Sequence, residues 1–207
     1  TYSDLACFLA RVDEWDSAQN YFRYAHEILE ELFQRDKKRY EIEFAILKGA
    51  MGFEYDYHHN RREAIKLYKD AEILIEAHSV PLSIKEKGKV AIFYYNYASG
   101  LEELQSDDKK AEDLKQKSLY LQKDLIDNDF LLNCVNYLAS SSSYAVQVAE
   151  KGNNEDAEFW LRETLQTAER VQGVNRNLDA ALAISYINAG TAYFKLGNRK
   201  MKKTCHR

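Results

Sequence analysis

Between residues 60 and 74 the chain reads NRREAIKLYKDAEIL, and Ala64, Tyr68 and Ala71 fall at offsets of zero, four and seven on one helical face. Two small residues beside a large ring leave bare spots on a face that core side chains would ordinarily fill. The arrangement recurs. WDSAQNYFRYAHEIL gives Ala18, Phe22 and Ala25; DKKAEDLKQKSLYL gives Ala111, Lys115 and Ser118; NEDAEFWLRETLQTA gives Ala157, Leu161 and Thr164. The leading alanines stand 46, 47 and 46 residues apart, an internal repeat whose fixed period marks a solenoid.

Each of these helices follows a polar break, at Asp13-Glu14, His59-Asn60, Ser106-Asp107-Asp108 and Gly152-Asn153-Asn154, and Gly197-Asn198 supplies a fifth. Gly tolerates a left-handed backbone, and Asn or Asp accepts hydrogen bonds from the free amides of the next helix. Ahead of each break lies a second helical segment with its own small site: Ala6, Gly52, Ser99, Ala145 and Gly190. A short turn between two such helices makes an antiparallel hairpin, and absent side chains let the two backbones close up while the neighbouring ring fills the gap. The pattern predicts ten helices in five pairs, spanning 1–36, 38–79, 83–127, 129–172 and an incomplete 177–207. First helices are expected near 1–12, 38–58, 83–105, 129–151 and 177–196, with Val80-Pro81 and Gly173 linking pairs. Units of this size cannot bury their apolar faces alone, so they should stack.

Composition sharpens this picture. One Pro and eight Gly in 207 residues are too few for a strand-and-turn architecture. The net charge of −4 is interspersed, with only RKMKKTCHR locally basic, which argues against nucleic acid as a partner. No apolar run is long enough to span a membrane. Cys7, Cys134 and Cys205 are sparse and odd in number, so they read as free thiols of a reducing compartment, the cytoplasm.

The best-formed unit, SYINAGTAYFKLGN at residues 185–198, places Tyr186, Ala189-Gly190, Tyr193 and Gly197 at aromatic, small, aromatic and turn sites. With EAIKLYKDAEIL, residues 63–74, it resembles the tetratricopeptide repeat family over essentially the whole chain. That resemblance implies an all-α fold, a right-handed superhelical solenoid of antiparallel helix pairs. It departs from the family in period, the extra dozen residues per unit adding about 18 Å of helix if all helical. HEAT-type repeats have a similar period, but their signature does not explain the paired small sites. It departs also in the fifth unit, where Lys202 stands at the alanine site; a truncated chain, or a fragment of a longer protein, is expected.

Chemistry-bearing constellations are sparse. His58-His59 are adjacent, about 100° apart on a helix, whereas metal ligands on a helix prefer offsets of three or four. His26, His78 and His206 stand alone. Glu102-Glu103 and Asp107-Asp108 lie beside turns, as solvated caps do. The Ser140–Ser143 run fits interhelix packing or a groove wall better than a nucleophile cluster. No catalytic residue, metal or cofactor is expected, and the chain reads as no enzyme.

In tetratricopeptide-like proteins the first helix of each pair lines a concave wall. The resemblance places Phe53, Asp56 and Tyr57 there, then Phe93, Asn96 and Gly100, Ser142 and Val146, and Ile187, Thr191 and Lys195. Phe93 and Ile187 suit interhelix packing equally well. Such a mix suits an extended peptide or a partner helix, with apolar anchors for affinity and polar groups for register. The family's carboxylate clamp is absent, since Ser3, Cys7, Gly49 and Phe53 occupy its sites. The expectation is a protein-binding scaffold or sensor within a larger signalling or regulatory protein; the rival is a structural array that stacks through its ends into an oligomer. An enzyme whose catalytic domain lies outside this stretch is a third.

Overall fold

The computed structural model describes residues 1–126, 128, 130–174 and 178–197, with only the backbone described at 130–132. Asn198, Lys202, Cys205, His206 and the helix expected from 199 onward lie outside them. The described residues form nine helices and no strand: α1 (Tyr2–Arg11), α2 (Trp15–Arg35), α3 (Lys37–Tyr57), α4 (Arg61–Ala77), α5 (Ile84–Glu103), α6 (Asp108–Ile126), α7 (Phe130–Glu150), α8 (Asn154–Val171) and α9 (Asp179–Lys195). The fold is all-α. No helix among the described residues is long and apolar enough to cross a membrane.

Turns recur with the repeat. Asp13, His59, Gln105, Gly152 and Gly197 adopt left-handed backbone, at φ 61, 62, 49, 80 and 76°, one per break. Glycine takes this conformation readily and other residues at a cost, so three of the five turns carry local strain. Capping is less regular than the polar breaks suggested. Asp107 and Asn153 accept from the amides of Lys110 and Asp156, whereas Glu14 and Asn60 make no side-chain cap. The link before α5 is closed instead by a reciprocal Ser83–Glu86 capping box.

The chain divides into two compact units, one of Thr1–Ser118 and one from Leu119 onward. In the first, α1 packs on α2 and α3, α3 also on α2, α4 and α5, and α4 on α5. Ala6, Phe22, Ala25, Phe44 and Leu47 form one core cluster. Around α4, Ala64, Tyr68 and Ala71 are fully buried. A methyl placed on Gly52 of α3 would meet the Tyr68 ring at 2.8 Å, so the ring occupies the space that Gly52 leaves empty. The same ring stacks on Tyr97, centroids 5.3 Å apart, and packs near Gly100, where a methyl would sit at an ordinary 3.6 Å. Where the pattern puts Lys115 in place of a ring, the stem is buried and the ammonium reaches Glu102, while the Ser118 hydroxyl donates to Ala91 O at 2.7 Å. The pairs Lys110–Glu72 and Lys117–Glu76 tie α6 to α4.

In the second unit α7 packs on α8 and α9, and α8 on α9. Ala145 and Ala157 are fully buried, with Trp160, Leu161, Tyr137 and Ala189 in the same core. The serine run serves packing: Thr164 Oγ1 lies 2.7 Å from Ser141 Oγ, and Asn188 Nδ2 donates to Ser142 Oγ at 3.1 Å. Ala18, Ala111 and Gly190 are buried as well, while Tyr193 is half-buried against the core. Ser99 departs from the series. It is half-buried with its hydroxyl donating to Tyr95 O at 3.1 Å, and Gly100, one residue on, meets the ring.

Two expectations follow for stability. Gly52→Ala forces a ring carbon aside, and overpacking of about 1–3 kcal/mol should outweigh the ~1 kcal/mol gained in helix propensity. Gly100→Ala should be neutral or stabilising, so its urea midpoint should lie above that of Gly52→Ala and not below that of wild type. Gln105→Gly should raise stability by roughly 0.5–1 kcal/mol, because it relieves a left-handed non-glycine residue; an unchanged urea midpoint would refute that.

Candidate functional site

Phe53, Asp56 and Tyr57 leave α3 on one side of its last two turns, and Asn96, Ser99 and Glu103 leave α5 at offsets of three and four from one another. Packing of α3 on α5 brings these two rows to the same depression, of about 690 Å³. Its rim is completed by the turn residues Asp13, His58 and His59, by Arg61 at the start of α4, and by Tyr95. Tyr57 is 64% exposed and Phe53 36%, so two aromatic faces are open to a ligand.

The polar part of the lining is a shared ion pair. Arg61 Nε stands 3.6 Å from Asp56 Oδ1, and its guanidinium also binds the Glu103 carboxylate. Asp56 is held above the ordinary aspartate range, first by burial and then by repulsion from Glu103, with Arg61 opposing both. The His58 ring stacks on Trp15, centroids 4.1 Å apart, and its Nε2 lies 3.3 Å from Ala10 O. Behind it Glu54 is 1% exposed and raised by burial, with exposed Arg11 at 3.9 Å as its ion-pair partner. Burial also pushes the Cys7 thiol up to about 11 and raises Cys134, which leaves both weak nucleophiles.

Four of the residues expected on a binding wall thus meet here: Phe53, Asp56, Tyr57 and Asn96. Three others are not accessible, the first being Gly100, buried beside the Tyr68 ring. Phe93 is buried between α3 and α5, its ring filling the space beside Gly49, where a methyl would meet it at 2.8 Å. Ser142 is fully buried and hydrogen-bonded to Asn188. In the second unit Val146 packs partly into the core, whereas Ile187, Thr191 and Lys195 follow one side of α9 at offsets of four. Ile187 is exposed, the Thr191 hydroxyl donates to Ile187 O, and Lys195 pairs with Glu150 at 3.1 Å. The pattern missed Arg61, Glu103 and Tyr95. No helical spacing joins Arg61 to Glu103, 42 residues on, because only the packing of α4 and α5 brings them together.

No family model matches the chain, and no curated protein does. Its fold is similar to that of the crystal structure of BtubC (BKLC) from P. vanneervenii, with a TM-score of 0.72 over 99% of this chain and 75% of that one. The sequences are 18% identical, and the likeness concerns the fold alone.

Removing the guanidinium by Arg61→Met leaves Asp56 facing Glu103 without a counter-charge. A carboxyl whose folded proton affinity is raised stabilises the protein below its unfolded titration range, and that contribution is lost as pH rises through the folded value. The variant should therefore lose more stability relative to wild type at neutral pH than near pH ~4. Equal losses in urea unfolding at both would overturn this account of the ion pair.

Proposed function

We propose that the chain is a tetratricopeptide-like module that binds a peptide or partner helix along its first helices, as the sensing or scaffolding part of a larger cytoplasmic regulatory protein. On this reading the helix pairs are antiparallel and stack as a right-handed solenoid, which the recurring left-handed turns and the packing of successive first helices support. The observation that carries it is the depression beside α3 and α5, where exposed Phe53 and Tyr57 flank Asp56 and Asn96. Open aromatic rings beside fixed polar groups are what anchor residues need: apolar contact supplies affinity and the polar groups fix register. Acid–base catalysis is a poorer fit, since the carboxylates Asp56 and Glu103 share a guanidinium at a partly exposed rim.

A second reading has its own support. Tyr2, Leu5 and Phe8 are exposed on α1 and Val12 directly after it, as are Ile184, Ile187 and Phe194 on α9. Apolar stripes of this kind suit stacking of copies end to end into an oligomer. Sedimentation across a wide concentration range separates the two, because self-association is concentration-dependent.

The test of the first reading is the double variant Phe53→Ala/Tyr57→Ala. Peptides selected from a displayed random library on the wild-type protein should bind it at least about tenfold more weakly, with helical content by circular dichroism unchanged. Peptides that bind both proteins alike would remove this wall from the function.

A further inference from the structure

We infer that the depression between α3 and α5 receives a basic side chain, arginine or lysine, from the bound segment. This rests on the peptide-binding reading above and names the chemistry of its central contact.

Charge comes first. Asp13, Asp56 and Glu103 border the depression against one guanidinium, that of Arg61, so three carboxylates meet a single permanent cation. Arg61 is already engaged by two of them. Glu103 repels the Asp56 carboxylate across that guanidinium, a cause second to burial in raising its proton affinity, while Arg61 and His59 oppose it. An incoming cation relieves that repulsion, whereas an acidic group would add to it.

Shape and surface agree. Phe53 and Tyr57 present open ring faces, and Tyr95 stands half-buried on the opposite helix. An aromatic face attracts a cation through its quadrupole and covers the methylene stem that carries it. The volume of about 690 Å³ exceeds what one side chain fills, leaving room for the adjoining backbone. A purely apolar anchor would satisfy the rings but would cover the Arg61–Asp56–Glu103 group without pairing it, which is costly.

The experiment is selection of a displayed random heptapeptide library on the 207-residue protein, sequenced before and after. Arginine or lysine should be enriched at one position. In a synthetic peptide of the selected sequence, replacing that residue by norleucine should weaken binding roughly tenfold. The variant Asp56→Asn/Glu103→Gln should bind the two peptides alike. Glu103→Gln alone, at an exposed position, should reduce the discrimination and guards against misfolding of the double variant. Peptides recovered without a basic preference, or discriminated as strongly by the variants as by wild type, would overturn this inference and leave the peptide-binding reading standing. Recovery of no peptide would overturn both.

Discussion

The contact on which the first unit depends is the one between the Tyr68 ring and the backbone of α3 at Gly52. A ring carbon rests 2.8 Å from where any other residue would place its Cβ, so α3 and α4 approach as closely as they do only because nothing projects there. The ring then stacks on Tyr97 of α5 and passes beside Gly100. One side chain thereby sets the spacing of three helices. Phe93 against Gly49 repeats the device between α3 and α5. Close packing of this sort is unforgiving, since interiors have few voids to absorb a displaced methylene.

The depression is a consequence of that spacing. With Tyr68 and Phe93 turned inward to hold the helices, Phe53, Asp56 and Tyr57 on the neighbouring stripe of α3 are turned away from the core. They meet Asn96 and Glu103 of α5, which occupy the corresponding stripe there. The sharp left-handed turn at His59 ends α3 and lets α4 begin at Arg61, within reach of both Asp56 and Glu103. Structural strain at the turn and placement of the cation are therefore parts of one local geometry.

In the second unit the same pattern is filled by other chemistry. Trp160 and Leu161 supply the bulk, Ala145 stands at the site of Gly52, and Thr164, at the site of Ala71, bonds to Ser141. Small residues are the common element, and what packs against them varies. This is why period and small sites could be traced in the chain although Lys115 and Leu161 break the aromatic pattern.

Helical periodicity and the spacing of small residues were enough to place nine helices within a few residues of their bounds, because both are local properties of the chain. The same reasoning put Tyr57 on an open face and Tyr68 in a closed one. It could not assign Phe93, whose position on α5 suits either wall or core; only the vacancy at Gly49, in another helix, draws it inward. Nor could it find Arg61 with Glu103, since no sequence interval encodes a contact between the start of one helix and the end of another. The sequence by itself determined the helices, the turns and the faces with missing side chains. The tertiary structure alone decided which rings fill those gaps and which charges are left facing one another, because that depends on how far apart the packed helices come to rest.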